Sequence, residues 1–449
     1  MHIPVAAPVA ALLTALRRCL ADERFWARHR VRPTDFTRRR RLPFPLVVLF
    51  VLQKSVQSLQ RHVRAFFAEL AEGDAAEPAT PGACTHARAK LRHTAFIELN
   101  RECVLPAIYG AAPARPVQRW RGHRVLGVDS SLVRLPAHPR MDAEFTVVTA
   151  TNQGGPTGVR YAEGRLAVLY DVLNRVGLDG QLAPSATGEI ALATAQLAHA
   201  ARGDLVLSDR GFTGYRFLAE QQRLGLHFVA RCSRRSFFAA QELFRQDRAG
   251  RSLTVQVPAL RAEREGLAHA GLPLTLTVRF VSVRLPTGEL EVLATNLHDA
   301  AAYPNKEFGA LYHRRWGHET FYGLLKGRLE LENFSGQTPE AVRQDFFATL
   351  LLCNLESVLT APTEAALREH SADHAHPKQV NRAESFHALK RALLPLLYSD
   401  TPIAEVVAHL HTCFAGSPVS VRPARTVPRR TPSLARAYHF LRRVKKAVF

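Results

Sequence analysis

Tyr312 to Lys326 reads YHRRWGHETFYGLLK. A helix turns about 100° per residue, so steps of three, four and seven bring Tyr312, Arg315, Glu319 and Lys326 onto one strip about 60° wide. Phe321, Leu324 and Leu325 fall on the far side, where they can face a core. One carboxylate, two cations and one phenol make a poor solvated face. They make a good wall for a site that holds a metal ion and a phosphate. Taken alone, the stripe is equally an ordinary helix with a Glu–Arg pair four apart. The rest of the chain decides between the two.

The chain has 449 residues, 47% of them apolar, and a formal charge of +21. That length exceeds one small domain, and that apolar content buries a real core. The positive excess runs along the whole chain, so a long polyanion is the natural partner. A membrane surface also attracts a basic chain, but no basic amphipathic anchor or lipidation signal is present. The longest purely apolar run, Leu46 to Leu52, is too short to span a bilayer. No secretory signal is read at the N-terminus. The six cysteines contain no CxxC pair, which argues against a zinc knuckle or a disulfide scaffold and for buried thiols in a reducing cytosol.

Residues 1 to about 110 read as helical and basic. The run Arg38 to Arg41 precedes an apolar segment, Leu42 to Gln53; further helical patterns cover Val56 to Leu70 and Cys84 to Leu99. Few acids compensate Arg38, Arg39 and Arg40, or Arg88 and Lys90, so these five read as DNA-backbone contacts. The plainer alternative is that they keep the surface soluble.

After the linker Gly110 to Pro116 the pattern changes. In RVLGVDSSLVRLP (124–136), Val125, Leu126 and Val128 form a strand with Asp129 at its C-terminal end, where α/β sheets present functional side chains. Arg165 to Val172 and Arg175 to Leu182 read as the next strands and Thr187 to Ala201 as a helix. Asp204 to Arg210 is a strand with Asp209 at its exit, followed by a helix, Phe217 to Leu224, and a strand, His227 to Cys232. This order points to an α/β fold, a mixed sheet covered by helices. Ser233 to Leu290 reads as a β-rich insertion, and Glu291 to Asn296 restores a strand. A long apolar helix from Thr338-Pro339-Glu340 to about Leu359 is expected to pack on the sheet. Ala361 to Gln379 reads as loop, Arg382 to Leu397 and Pro402 to Phe414 as helices, and the tail from Ser417 as basic.

Asp129, Asp209 and Glu319 are far apart in sequence. Brought together, three such carboxylates hold two Mg²⁺ ions about 3.5–4 Å apart for an in-line phosphoryl displacement. Carboxylate oxygens are the hard ligands Mg²⁺ prefers.

The chain resembles the DDE transposases of the insertion-sequence IS4 group. Their signature, Y-x2-R-x3-E-x6-K, is matched at Tyr312, Arg315, Glu319 and Lys326, and VDSSLV and LSDRGF resemble the motifs that supply Asp129 and Asp209. FTRRRRLPFP, ACTHARAKL, ENFSG (332–336) and RAES (382–385) also resemble family sequence. The resemblance implies an RNase H-like core (118–232 and 291–360) interrupted by the insertion (233–290). A helical DNA-end-binding domain (1–110) and a helical C-terminal region (361–449) for DNA contact or dimerisation would flank it. It implies Mg²⁺-dependent cleavage at transposon ends and strand transfer, with two ions on Asp129, Asp209 and Glu319 and Mn²⁺ able to replace Mg²⁺. Tyr312, Arg315, Lys326 and Arg210 would contact DNA. A homodimer would form where two ends are paired, with no membrane attachment, in a nucleoid-associated, prokaryotic cytoplasmic setting. Some relatives stack a flipped base on an aromatic of the insertion, often Trp. Trp26, Trp120 and Trp316 all lie outside it, which leaves Phe237, Phe238 and Phe280, with core packing the plainer reading for them. Two further readings share the core: a non-mobile or domesticated nuclease, and a catalytically dead DNA-binding relic. The intact acids argue against the relic.

Overall fold

Unbroken apolar runs such as Leu205–Leu207 and Phe228–Ala230 give the central strands two buried faces. The computed structural model describes residues 6–38, 40–55, 57–70, 79–152, 155–285 and 287–422. Arg39, most of the break after Leu70, Pro286 and the basic tail from 423 lie outside the described residues. The strands are β1 (Val125–Arg134), β2 (Thr146–Asn152), β3 (Gly155–Asp171), β4 (Val176–Pro184), β5 (Leu205–Ser208), β6 (His227–Arg231), β7 (Ser252–Pro258), β8 (Thr275–Arg284) and β9 (Leu290–Thr295). Their order is β2-β3-β1-β5-β6-β9-β8-β7, with β4 also paired to β3. β1, β5 and β6 are parallel, and β3–β4, β6–β9, β9–β8 and β8–β7 are antiparallel. The inner order β4-β3-β1-β5-β6 is the RNase H-like arrangement the resemblance implies.

Packing divides the described chain into two units. One comprises Gln118–Val133 and Gly164–Leu324. The other comprises the segments up to Val117, Arg134–Glu163 and from Leu325 onward.

In the first unit the period of two is explicit. Phe228, Ala230 and Cys232 bury against Leu218, Val278, Phe280, Val292 and Ala294 on one face. Val229 joins Val125, Leu205, Leu207, Val281, Leu293, Phe308, Leu311 and Tyr312 on the other. The insertion does not form a sheet of its own. Its two strands, β7 and β8, are laid on the core sheet through β9, while Ala240, Leu243 and Leu267 from its short helices join the first of those cores. Pairing in this way gives the edge of β9 a partner instead of leaving its N–H and C=O groups exposed.

Three readings are corrected. β1 continues five residues past Asp129, to Arg134, so Asp129 is not at its end. The β-branched segment Thr146–Asn152, which the sequence reading passed over, is a strand paired to the first half of β3. The helix begun by Thr338, whose hydroxyl accepts from Ala341 N–H, runs 32 residues to His370 and not to Leu359. Pro362 sits inside it, and Thr363, Glu364 and Leu367 beyond the proline are buried. Burial of that last stretch outweighs the lost backbone bond. By length and composition this helix could cross a membrane, yet 83% of its most apolar window is buried. It packs against helices Phe44–Leu52, Thr94–Glu98 and Ile403–Gly416 of its own unit.

Arg88, read as an exposed DNA-backbone contact, is instead buried and held within its own unit. Its guanidinium donates to Gln344 Oε1 (2.7 Å), Ser335 Oγ (2.6 Å), Ala341 O (2.6 Å) and Asp345 Oδ1 (2.7 Å). Burial alone would raise the Asp345 pKa. Arg88, Lys54 and the Ser335 N–H and hydroxyl outweigh it and hold the carboxyl below its ordinary value. A depressed acid stabilises the fold above its unfolded pKa, about 3.9, and that stability is lost as pH falls through the folded value. Asp345→Ala should therefore cost about 3–5 kcal/mol at pH 7, because a buried guanidinium loses its counter-charge. Urea denaturation from pH 7 down to 3 checks this. The variant's stability should fall less steeply with acid than the wild type's; parallel curves would contradict the assignment.

Candidate active site

Strand register brings the two aspartates together. In the β1–β5 pair Val125 faces Leu205, Leu126 faces Val206 and Gly127 faces Leu207. Carried two residues on, the same register sets Asp129 beside Asp209, on strands about 4.8 Å apart. Asp209 keeps an extended backbone (φ −86°, ψ −179°), so alternation continues through it. Asp129 shares a face with Val125, and Asp209 with Leu205 and Leu207. Both carboxylates thus emerge on the face covered by Phe308, Leu311 and Tyr312.

The helix that brings Glu319 is not the single straight rod expected. It is built as Phe308–His313, a turn, Trp316–Gly323 and a π-helical turn, Leu324–Arg328. At the turn the bonds are three-residue ones, from Arg314 N–H to Leu311 O, Arg315 N–H to Tyr312 O and His318 N–H to Arg315 O. A tighter winding, about 120° per residue, rotates Arg315 toward the Tyr312 side, and a π turn follows at Leu324–Arg328. Lys326 falls in the other unit.

Tyr312 is 3% exposed with its ring in the core, and its hydroxyl stands 3.5 Å from Asp209 Oδ1, the outer limit of a hydrogen bond. Arg315 is likewise 3% exposed. Its Nη2 donates to Glu319 Oε1 at 2.9 Å, and its Nη1 lies 3.8 Å from Asp129 Oδ2. The guanidinium is also flanked by the Tyr312 ring (5.6 Å) and the Trp316 ring (5.7 Å). One buried cation therefore joins a strand acid to the helix acid, and a phenol joins the helix to the second strand acid.

The electrostatics follow from burial. Burial pushes the Asp129 carboxyl up to about 6; the Ser130 N–H and Arg315 pull it down, and Glu319 and Glu189 add to the rise. Burial also works against the charge on Arg315, but Tyr312, Asp209 and Glu319 outweigh it and raise its pKa. The Tyr312 phenol is pushed up by burial. Among the described residues no three of His, Cys, Asp or Glu stand close enough to share an ion as placed. In this arrangement it is Arg315 that supplies the positive charge between Asp129 and Glu319.

Sequence reasoning missed Arg231 and Glu291. In the β5–β6 pair Ser208 faces Ala230, so Asp209 falls opposite Arg231. Arg231 Nη1 meets Glu291 Oε1 at 3.0 Å, and Glu291 is buried with its Oε2 unpartnered. Their signal was parity: Arg231 shares a face with Val229, and Glu291 with Leu293. Ser130 is a second neighbour, donating to Glu189 Oε1 (2.6 Å) and accepting from Arg165 (2.9 Å).

The remaining expected DNA contacts are placed separately. Arg210 is exposed immediately after Asp209. In the helical unit Arg38, Arg40 and Lys90 line a cleft of about 1010 Å³, with Arg41 and His86. Arg39 lies outside the described residues. Of the insertion phenylalanines, Phe280 is fully buried, Phe237 packs against that core, and Phe238 is 88% exposed.

The family described as Transposase DDE domain matches residues 120–355, just over half of the chain. The transposase InsG for insertion sequence element IS4 of Escherichia coli (strain K12) is 23% identical over 286 residues, 63% of this chain and 61% of that protein. The match thus spans about three fifths of that relative's own length. A piggyBac transposase solved by cryo-EM as a synaptic complex with hairpin DNA aligns at a TM-score of 0.42 and 10% identity, covering 87% of this chain and 78% of that one.

Removing the Arg315 guanidinium leaves Asp129 and Glu319 facing each other without a counter-charge. With Glu319 partly solvated, Arg315→Ala should cost about 2 kcal/mol in EDTA, and adding Glu319→Gln should return part of it. Urea midpoints in EDTA test this; an unchanged midpoint for the single variant refutes it. Asp129 gives a pH signature of the opposite sign to Asp345. An acid whose pKa is raised stabilises the fold below its unfolded value, about 3.9, and that contribution is lost as pH rises through about 6. Relative to Asp129→Asn, the metal-free wild type should lose stability between pH 4 and 6.

Proposed function

The chain belongs to the DDE transposase family, of the IS4 type, and from that premise we propose that it cuts DNA at the ends of a transposable element and joins those ends to target DNA. The observation that carries this is that Arg315 reaches both Asp129 and Glu319 while the Tyr312 hydroxyl reaches Asp209. The carboxylates supply hard oxygen donors, and a guanidinium already sits between two of them, so the place suits concentrated positive charge. Asp129, Asp209 and Glu319 would hold two Mg²⁺ ions, or Mn²⁺ in their place. Bound there, the ions would activate the attacking oxygen and stabilise the leaving one.

In cleavage a water oxygen gives up a proton to solvent and forms a bond to phosphorus as the bond to the 3′ oxygen of the element's end breaks, and that oxygen takes up a proton and leaves as a hydroxyl. In joining, that 3′ hydroxyl attacks a target phosphorus and a target 3′ oxygen leaves. Arg315, Tyr312 and Lys326 would meet the phosphate beside the cut, and Arg210 the strand next to it. Arg315 must then exchange its carboxylate partners for DNA. Arg38, Arg40 and Lys90 would hold duplex backbone along their cleft. Two ends must be paired for insertion, so a homodimer is the proposed assembly, acting on DNA in a prokaryotic cytoplasm. Phe238, exposed on the insertion, is the one of the three phenylalanines free to stack on a base.

The decisive experiment incubates the protein with the DNA immediately outside its own gene, with Mg²⁺ or with EDTA. Nicking at the element's ends is expected only with Mg²⁺. Asp129→Ala, Asp209→Ala and Glu319→Ala should each abolish it while leaving end binding intact; full activity in any one would falsify that residue's role. Replacing Arg38, Arg40 and Lys90 with Ala together should lower the slope of log affinity against log salt by about 2.7.

A further inference from the structure

Glu319 lies between two buried aromatic residues of its helix, His318 and Tyr322, neither of which belongs to the four-residue signature. Each touches β1 close to Asp129. The His318 ring, fully buried, sits over Gly127, where an added Cβ would come within 2.9 Å of its Nδ1. Only a residue without a side chain leaves that notch. Tyr322 donates its hydroxyl proton to the carbonyl oxygen of Asp129 itself at 2.9 Å and accepts from Val168 N–H of β3 at 3.1 Å. The two rings stack on each other (centroids 5.0 Å, 15° between planes), and Tyr170 of β3 stacks on His318 (5.5 Å, 25°).

The spacings agree. Gly127 to Asp129 covers about 6.6 Å of strand, and His318 to Tyr322 about 6 Å of helix. A helix that slid by one residue, about 1.5 Å, would lose the notch and the hydroxyl bond together.

We propose that His318 and Tyr322 form a two-point lock between the helix and β1, and that they are positioning residues which set where the Glu319 carboxylate stands relative to that of Asp129. Both are buried and act through β1. His318 acts by shape: the ring is fully buried over the glycine and both of its nitrogens lack a hydrogen-bond partner. Tyr322 acts by its hydroxyl, which reads the backbone of the residue that carries the strand acid. The inference rests on the metal-holding reading of the three acids.

Tyr322→Phe keeps the ring and removes the bond. Three quantities are measured on the full chain: Mn²⁺ binding followed by electron paramagnetic resonance, the Mg²⁺ concentration that half-saturates nicking of end DNA, and thermal unfolding in EDTA. The lock requires weaker Mn²⁺ binding and about a tenfold rise in half-saturating Mg²⁺. A variant with a lowered melting point but wild-type metal dependence would show that Tyr322 is merely structural and overturn the proposal. Gly127→Ala fills the notch with the hydroxyl bond left in place, and it should shift metal dependence in the same direction; no shift overturns the His318 half. A wild type that neither binds Mn²⁺ nor nicks end DNA would overturn the metal reading itself, whereas a wild type that does both beside unaltered variants overturns the lock alone.

Discussion

One buried guanidinium carries the charge balance of the site. Asp129 and Glu319 come from different layers, a strand and a helix, and both are partly stripped of water. Like charges so placed repel, and low dielectric strengthens that repulsion. Arg315 lies between them, 2.9 Å from one and 3.8 Å from the other, with aromatic rings on either side. The break in the helix before Trp316 accompanies this placement. A straight helix would leave Arg315 at the rim of the strip; the tighter turn brings it beneath the acids. A cation placed on both carboxylates would compete with Arg315 for them.

Much of this was legible in the chain. Asp129 and Asp209 follow runs of apolar residues, and a buried parallel strand is the expected reading of such runs. The Tyr–Arg–Glu spacing located the helix that meets them. What the spacing could not show is where winding departs from 3.6 residues per turn, because a three-residue turn and a π turn are decided by what the side chains must reach. Arg88 was misread for a related reason. Its sequence neighbours carry no acid, while its partners Gln344 and Asp345 lie more than 250 residues away. Local charge balance cannot reveal a partner supplied by another helix. Arg231 and Glu291 were hidden in the same way, since their kinship with Asp209 is a matter of register across strands.

The basic residues accordingly divide into two kinds. Arg88 and Arg315 are buried beside carboxylates, Asp345 for the first and Glu319 and Asp129 for the second. Arg38, Arg40 and Arg210 keep their charge toward solvent, where long-range attraction to a polyanion is effective and also sensitive to salt. The insertion shows a parallel division among its aromatics, with Phe280 spent on the core and Phe238 left outside it. Residue type alone does not distinguish these roles; depth does.

The pairing of β1 with β5 has a consequence for how such a chain can change. The two aspartates are neighbours because two strand segments lie side by side in a fixed alignment, whatever the path between them. The intervening chain leaves the sheet unit, contributes a strand pair to the other unit and returns. That excursion can lengthen, shorten or be exchanged for a foreign segment without moving either acid, as long as it re-enters in phase. Evolution can thus remodel the body around the two acids while their separation is inherited unchanged.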